Sequence, residues 1–266
     1  MPASAGFRTL IGKGKWRHMP NLIVMAGPNG AGKTTTSRHI LWKPRRVEDF
    51  VNADTIAAEQ GLDEIAAGRV MLRRLDELTA ARKDLAFETT LSSASLRARI
   101  AAMQAGGYVF HLVYVWIPSA DMAIQRVAAR VRAGGHSIPE AVIRRRYERS
   151  LHNFFNRYMP MADAWTMLDN SHHGEPTRIA ERDIGGPLRV FDEPLWTKLT
   201  ARYMKPDYRA REAVLSASGF KMRDIYESAR HAVSEALAKH KMLGQSIVVW
   251  ESGMPVTVEA EEIEHQ

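Results

Sequence analysis

The sequence contains no cysteine and no long apolar run. The absence of cysteine excludes disulfide bonds and thiolate metal sites, and it gives no reason to expect an oxidising compartment. The longest apolar runs, around Leu22–Ala26 and Val109–Ile117, are far shorter than the roughly 20 residues that span a bilayer. The basic N-terminal stretch also lacks the apolar core of a signal peptide. We therefore expect a cytoplasmic protein that has no membrane partner.

Positive charge is concentrated in two segments. The chain carries 37 Lys and Arg against 30 Asp and Glu, a formal net charge of +7. Residues 126–149 hold seven Arg against two Glu, and residues 198–241 hold ten Lys or Arg against five Asp or Glu. Such an excess suits either nucleic acid or the phosphates of a small ligand. The second segment lacks regularly interleaved aromatic residues for base stacking, which disfavours nucleic acid as a partner.

Short apolar runs alternate with helix-compatible segments along most of the chain. Five strands are predicted: Asn21–Ala26, Phe50–Asp54, Asp84–Thr89, Tyr108–Ile117 and Ala164–Leu168. Helices are predicted between them, including Leu96–Gln104 and Asp121–Arg132, and a further helix that starts at a capping box formed by Ser137 and Glu140. Along that last helix an apolar face is expected from the spacing of Ile143, Tyr147, Leu151 and Phe154. This alternation predicts an α/β fold, a mostly parallel sheet with helices on both faces.

The composition changes after Pro194. Two helical stretches, about 208–217 and 221–240, precede a predicted hairpin of Ile247–Trp250 and Val256–Val258. We therefore divide the chain into a leader at 1–20, a core at 21–193 and a C-terminal appendage of helices and a hairpin at 194–266.

A glycine-rich motif follows the first predicted strand. The residues in order are Gly27, Pro28, Asn29, Gly30, Ala31, Gly32, Lys33 and Thr34, followed by Thr35. They match the pattern G-x-x-x-x-G-K-[ST] at a strand-to-helix junction, where backbone N–H groups surround a triphosphate and the helix dipole favours its charge. Lys33 would bridge the β- and γ-phosphates of ATP or GTP, and the Thr34 hydroxyl would be a Mg²⁺ ligand. The motif predicts a nucleotide site.

Two carboxylates stand near the ends of other predicted strands, at the edge where open α/β sheets bind ligands. The strongest apolar strand ends at Pro118 without an acid, which disfavours an NTP-hydrolysing motor. Asp54 and Glu88 instead fit the needs of a hydroxyl acceptor, a base that takes its proton and a group that orients it. Thr89 follows Glu88 in a polar turn. We therefore predict a kinase, with the three-layer P-loop kinase fold.

The arginines of residues 126–149 lie where small P-loop kinases carry a lid over the nucleotide. Arg126 and Arg130 share one helix face, so either guanidinium is a candidate to neutralise charge on the transferring phosphoryl group. The other arginines are expected on a solvated face. His136 and the pair His172-His173 are isolated in polar loops and are not predicted to bind a metal.

Taken together, the glycine-rich motif, Val51-Asn52-Ala53-Asp54, Phe87-Glu88-Thr89-Thr90 and the basic stretch Gln125–Arg149 resemble the zeta-toxin family of P-loop kinases over about residues 20–175. The resemblance implies transfer of phosphate to a hydroxyl of a UDP-N-acetyl amino sugar, and inhibition by a small antitoxin. By motif it makes Lys33 the phosphate-binding lysine, Asp54 the catalytic aspartate and Glu88 the substrate-binding glutamate. It equates Arg126 with the first phosphate-clamping arginine. The second falls near His136, or at Arg130 or Arg132 after a shift.

Three hypotheses remain open from the sequence. The chain is a kinase for a UDP-activated amino sugar or a related small hydroxyl compound. Alternatively, the same fold phosphorylates a nucleic acid 5′ end. In the third hypothesis it is an ATP-binding protein whose C-terminal segment docks a protein partner such as an antitoxin.

Overall fold

A computed structural model describes residues 19–41, 49–135, 137–172, 174–206, 246–251 and 254–258. The chain divides into two compact units, Met1–Val214 and Leu215–Gln266. Within the described ranges, no helix is long and apolar enough to cross a membrane.

The first unit contains a seven-stranded sheet. Its strands are β1 Asn21–Ala26, β2 Asp49–Val51, β3 Leu85–Thr89, β4 Val109–Trp116, β5 Ala164–Asp169, β6 Thr177–Arg182 and β7 Leu188–Val190. They lie in the order β2-β3-β1-β4-β5-β6-β7. The strands from β2 to β5 are parallel, whereas β6 and β7 extend the sheet as antiparallel strands. The predicted α/β class with a mostly parallel sheet is confirmed.

The described residues of this unit form seven α-helices. They are α1 Lys33–Leu41, α2 Ala53–Gln60, α3 Glu64–Ala80, α4 Leu96–Ala105, α5 Ala120–Arg132, α6 Glu140–Asn153 and α7 Glu193–Tyr203. A π-helical turn, Phe154–Tyr158, and a 3₁₀ turn, Met159–Met161, continue α6 towards β5. The helix spacing predicted for Ile143, Tyr147, Leu151 and Phe154 is confirmed, because all four side chains are buried.

The core lies along β1 and β4, the central pair of parallel strands. Every residue of both strands is buried. Strands that are buried on both faces require continuous apolar sequence, which is why these two are the clearest strand signals in the chain. Their carboxyl ends, at Ala26 and Trp116, open onto one edge of the sheet, and the glycine-rich loop leaves β1 at that edge.

Two sequence expectations need correction. The second strand ends at Val51 rather than Asp54, because Asn52 caps a helix that starts at Ala53. The capping box does not form: α6 begins at Glu140, after an extended Pro139. A residue that precedes proline is disfavoured in the helical conformation, so Ile138 cannot easily serve as the first helical residue after Ser137.

Strands β6 and β7 were not predicted at all. They mix charged and apolar side chains over short spans, TRIAER and LRV, at one side of the sheet. Glu181 of β6 is nonetheless 2 % exposed, and it pairs with Arg178 and Arg189. The strand therefore buries a charge with its partners, a pattern that an apolar search overlooks.

Helix α7 packs on the core beyond the boundary that the sequence suggested at residue 193. Trp196 is 7 % exposed, and its ring stacks on Trp165 of β5 with centroids 5.5 Å apart. Leu199 and Met204 are also buried. The first compact unit accordingly continues to Val214.

In the second unit, β8 (Ile247–Glu251) and β9 (Met254–Val258) form an antiparallel pair, so the predicted hairpin is confirmed. The predicted helices at 208–217 and 221–240, and all but the last two residues of the leader at 1–20, lie outside the described residues.

Candidate active site

The glycine-rich loop at residues 27–34 joins β1 to α1. Gly27, Gly30 and Gly32 all have positive φ angles, +143°, +72° and +83°, a region that other residues rarely adopt. A Cβ atom at Gly27 would lie 2.3 Å from the carbonyl oxygen of Val115, so no larger residue fits there. The loop therefore wraps the N-terminus of α1, where unpaired backbone N–H groups form an anion site.

Lys33 lies under this loop and is 7 % exposed. Its Nζ donates a hydrogen bond to the carbonyl oxygen of Pro28 at 3.0 Å and lies 3.7 Å from Oε1 of Glu88. Burial lowers the pKa of Lys33, and the charges of Glu88 and Asp54 act against that shift. These two carboxylates therefore supply negative charge that stabilises the buried ammonium group.

Glu88, near the end of β3, links the glycine-rich loop to Asn52, the residue that follows β2. Its Oε2 accepts hydrogen bonds from the Thr34 hydroxyl and from Nδ2 of Asn52, both at 2.9 Å. Strands β1 and β3 are neighbours in register, with Met25 opposite Glu88, which brings this carboxylate beside the loop. The arrangement places an acid next to the hydroxyl that was predicted to bind Mg²⁺.

Asn52 was not among the predicted site residues. Its side chain is buried, and its Oδ1 accepts from the backbone N–H of Asp54 at 2.8 Å and from that of Thr55 at 3.4 Å. Asn52 therefore caps α2 while its amide holds Glu88. An Asn directly after a strand and before a helix is a capping signal, but the sequence does not show which strand its amide will reach.

Asp54 lies in the first turn of α2, and its side chain is 70 % exposed. Because Asn52 caps the helix, the Asp54 carboxylate is not needed as a helix cap. Its Oδ2 lies 3.8 Å from Nη1 of Arg130. The carboxylate is thus accessible at the carboxyl edge of the sheet, as a base for an incoming acceptor must be.

Two of the lid arginines approach the loop from α5. Nη2 of Arg126 donates to the carbonyl oxygen of Ser171 at 3.3 Å, and Arg130 pairs with Asp54. A Cβ at Gly30 would lie only 3.2 Å from Cβ of Arg126, so α5 packs directly against the loop. The structure therefore brings Arg126 and Arg130 to the predicted site.

Two other arginines of residues 126–149 form ion pairs between helices. Arg144 of α6 pairs with Asp121 of α5 at 2.6 Å, and Arg146 pairs with Glu64 of α3. Arg145 is exposed. Arg144 and Arg146 therefore have acidic partners in neighbouring helices.

A loop after β5 also contacts the glycine-rich loop, and this contact was not predicted. Nδ2 of Asn170 donates to the carbonyl oxygen of Ala31 at 2.7 Å, while its backbone N–H donates to Trp116. A Cβ at Gly32 would lie 2.5 Å from the same Nδ2. Asn170 thus contacts the glycine-rich loop close to Lys33. A polar residue just past the carboxyl end of a parallel strand is the only signal that could have suggested it.

The remaining predicted residues are close by. Thr35 is exposed one position after Thr34, and the Thr89 hydroxyl accepts from the backbone N–H of Leu91 in the turn after β3. The described residues contain no group of three His, Asp or Glu side chains that could hold a metal ion. His136 and His173 lie outside them.

These residues fit a nucleoside triphosphate with a divalent cation. The loop provides a glycine cradle with a buried lysine, and Oδ1 of Asn29 is buried without a hydrogen-bond partner. That oxygen can only accept, so a cation or a donor group, and not a phosphate oxygen, would complete its bonding. Thr34 and Glu88 together offer the oxygen ligands that Mg²⁺ prefers.

Comparisons with known proteins agree on the fold. Residues 22–151 match the family model described as an AAA domain (AAA_33). An uncharacterised protein of Haemophilus influenzae is 28% identical over 143 residues, which are 52% of this chain and all of that protein.

Among solved structures, the AvrRxo1-ORF1:ORF2 complex with ATP aligns with a TM-score of 0.54 and 16% identity, over 68% of this chain and 64% of that one. Our chain therefore spans less than two thirds of that protein. A chain from the PezAT toxin–antitoxin system of Streptococcus pneumoniae aligns at a TM-score of 0.45 and 17% identity, over 62% of this chain and 73% of that one. The chain has the α/β fold of P-loop kinases, and its candidate site lies at the carboxyl edge of the parallel strands.

Proposed function

We propose that this chain is an ATP-dependent kinase that phosphorylates a hydroxyl of a small molecule, a UDP-N-acetyl amino sugar. The observation that carries the proposal is the position of Glu88, which contacts Lys33, Thr34 and Asn52 at one point of the sheet edge. The side chains proposed to bind the nucleotide thus meet a partly buried carboxylate at the edge that also carries the accessible Asp54. A protein that only bound ATP would not need that second carboxylate.

In this proposal the loop amides and Lys33 bind the β- and γ-phosphates. Thr34, with Glu88 beside it, would hold Mg²⁺, which neutralises phosphate charge when it is bound. Lys33 gives up its contacts with Pro28 and Glu88 as the triphosphate enters, because the phosphates replace the negative charge that Glu88 supplies without nucleotide. Oε1 of Glu88, the oxygen that faced Lys33, is then available to accept a hydrogen bond from the acceptor.

The acceptor hydroxyl oxygen forms a bond to the γ-phosphorus while the bond from that phosphorus to the β,γ-bridging oxygen breaks, and ADP leaves. The hydroxyl proton passes to the carboxylate of Asp54. Arg126 and Arg130 lie on the lid side, where a guanidinium can neutralise charge on the transferring group. Arg130 leaves Asp54 for the phosphate in this scheme, which frees the base.

Support for the individual substrates differs in kind. A protein of the same fold has been solved with ATP, which supports a nucleotide here. The UDP-amino sugar rests on the resemblance of the motifs at Lys33, Asp54 and Glu88 to the zeta-toxin family. The same structural relative was solved as an ORF1:ORF2 complex, which supports the proposal that a protein partner such as an antitoxin binds this chain.

An acceptor panel tests the proposed activity. ATP consumption and product mass would be measured with UDP-N-acetylglucosamine, other sugar nucleotides, and RNA and DNA bearing 5′-hydroxyl ends, with Lys33→Ala as the inactive control. We expect Mg²⁺-dependent phosphorylation of a sugar nucleotide and none by the control. Transfer to nucleic acid ends alone would replace the acceptor, and ATP binding without turnover of any compound would contradict the kinase proposal.

A further inference from the structure

The turn that follows β3 contains a strained residue. Leu91 has a φ angle of +53°, a conformation that costs energy for any residue with a Cβ atom, and its side chain is fully buried. The other non-glycine residue with a positive φ in the described ranges is Arg82, at +50°. Arg82 follows the end of α3, where such a conformation is common, and the N–H of Lys83 donates back to the carbonyl oxygen of Leu78. Leu91 ends no helix, so other contacts must hold its backbone.

Side chains bind both backbone groups of Leu91. Its N–H donates to Oγ1 of Thr89 at 3.1 Å, and its carbonyl oxygen accepts from Nδ2 of Asn153 at 2.7 Å. Asn153 lies at the end of α6 and is itself buried, so its loss would remove a buried hydrogen bond from the turn. Thr89 directly follows Glu88 at the end of β3. The turn therefore continues from the carboxylate of the candidate site.

A π-helical turn, Phe154–Tyr158, brings a second donor to the same loop. The Tyr158 hydroxyl donates to the carbonyl oxygen of Ser93 at 2.8 Å. Asn153 and Tyr158 are five positions apart, whereas neighbours on one side of an α-helix are three or four positions apart. A π-helical turn closes its hydrogen bonds over five residues, so it brings both donors to the loop after β3. Such turns are rare and are frequent at functional sites.

The same helical segment also reaches the loop after β4. The Tyr147 hydroxyl of α6 donates to the carbonyl oxygen of Ile117, just past the end of β4, at 2.8 Å. Strands β3 and β4 flank β1, from which the glycine-rich loop leaves. The loops on both sides of the glycine-rich loop are therefore hydrogen-bonded to α6 and its π-helical turn.

Glu88 is held by hydrogen bonds at one of its two oxygens. Thr34 and Asn52 both donate to Oε2. The direction of Oε1, which lies 3.7 Å from Nζ of Lys33, therefore depends also on the backbone that carries the side chain. That backbone leads into the turn at Leu91, and a misplacement of about 1 Å at a site can cost about 10²-fold in rate.

We propose that Asn153 and Tyr158 are positioning residues for the acceptor. By holding the strained turn at Leu91, they fix Glu88 three residues earlier in the chain. The inference rests on the proposed function, in which Oε1 of Glu88 accepts a hydrogen bond from the acceptor. Strain explains why the turn needs two donors, since it would relax without them and the backbone at Glu88 would move with it.

A double variant of the full chain removes both donors. Asn153→Ala with Tyr158→Phe deletes an amide and a hydroxyl and keeps the buried ring. The matched control is Gln104→Ala with Tyr108→Phe, whose amide and hydroxyl also donate to backbone carbonyl oxygens. Gln104 contacts Met161 before β5, and Tyr108 precedes β4, so both lie at the amino ends of the parallel strands, away from the candidate site.

We expect the test variant to lower kcat/KM for UDP-N-acetylglucosamine at least about tenfold, because a displaced Glu88 no longer meets the acceptor hydroxyl. In ligand-free protein, the backbone amides of residues 89–93 should exchange with solvent faster than in wild type, because the turn opens more often. The control should keep wild-type kinetics and wild-type exchange in that turn. A kcat/KM within about threefold of wild type, or an equal loss in the control, would overturn the proposal.

A double-mutant cycle with Glu88→Gln separates positioning from a general loss of stability. If both sets of changes act through the Glu88 carboxylate, their effects on kcat/KM are not additive. Adding Asn153→Ala and Tyr158→Phe to Glu88→Gln should then lower kcat/KM by less than about threefold further. A further loss of about tenfold would show that the two residues act elsewhere, and would contradict the proposal.

The exchange measurement does not depend on turnover. If the acceptor panel finds no phosphorylated product while the test variant alone loosens residues 89–93, the proposed kinase activity fails and the assignment of Asn153 and Tyr158 to this turn stands. If a sugar nucleotide is phosphorylated with the same kcat/KM by wild type and the test variant, the positioning proposal fails and the kinase stands. Unchanged exchange in the turn would overturn the positioning proposal whether or not the chain is a kinase.

Discussion

Replacing Glu88 with Gln keeps the shape of the side chain and removes its charge. Oε2 of Glu88 accepts hydrogen bonds from Thr34 and Asn52, and Oε1 lies near Nζ of Lys33. The Gln amide can keep one acceptor but presents a donor in place of the second oxygen. Lys33 then loses the nearest charge that compensates its burial.

Two magnitudes follow from this geometry. A hydrogen bond to a charged group contributes about 1.5–3 kcal/mol, so loss of the charged bond to the acceptor should lower kcat/KM for the acceptor by about 10–150-fold. The free energy of unfolding without nucleotide should also fall, by about 1–3 kcal/mol, because a buried group loses its charged partner. ATP with Mg²⁺ should reduce this stability difference, since the phosphates supply the missing negative charge near Lys33.

Steady-state kinetics and thermal unfolding with and without nucleotide measure both effects. Glu59→Gln is the matched control, because it makes the same chemical change at an exposed position of α2. A higher Mg²⁺ concentration for half-maximal activity would locate the loss at the metal, and a higher KM for the acceptor would locate it at the substrate. A kcat/KM within about threefold of wild type, with an unchanged Mg²⁺ requirement, would refute the reasoning about Glu88.

Three further changes test other parts of the account. Asn170→Ala removes a hydrogen bond to the nucleotide loop, so KM for ATP should rise by about 2–10-fold while KM for the acceptor stays constant; an unchanged KM for ATP would contradict this role. Trp196→Ala should lower the free energy of unfolding in denaturant titration by about 3–5 kcal/mol, and a loss below about 1 kcal/mol would contradict the packing of α7 on the core. Arg126→Ala and Arg130→Ala should each lower kcat more than they weaken ATP binding, and effects no larger than that of Arg145→Ala would return both to a solvated face.

The sequence predicted the elements whose signals are local. The loop around Lys33 is a contiguous motif between a buried strand and a helix, so its place in the fold could be stated before the structure was known. The central strands are apolar apart from Asn21 and His111, because both of their faces are covered. By contrast, the short strands β6 and β7 carry charges that find partners only after the sheet has formed.

The contacts that complete the candidate site join residues far apart in the chain. Asn170 meets Ala31 across 139 positions, and Asn52 meets Glu88 across 36. No local pattern encodes such pairings, because they depend on the order of the strands in the sheet and on where each strand ends. The start of α2 was not predicted correctly either. Asn52, and not Asp54, caps the helix, and the Asp54 side chain is exposed.

Asp54 is the residue on which the proposed reaction most directly depends. Asp54→Asn preserves the fold in this account, because Asn52 caps α2 and the Asp54 side chain is 70 % exposed. The exposed contact with Arg130 contributes little to stability. An amide, however, cannot accept the proton of the acceptor hydroxyl.

The decisive measurement is the single-turnover rate of γ-phosphoryl transfer from ATP to UDP-N-acetylglucosamine by purified Asp54→Asn, with ATP affinity and the unfolding temperature measured on the same sample. We predict a rate about 10²–10⁴-fold below wild type, with affinity and unfolding temperature unchanged. A rate above about a tenth of the wild-type value would contradict general-base catalysis by Asp54.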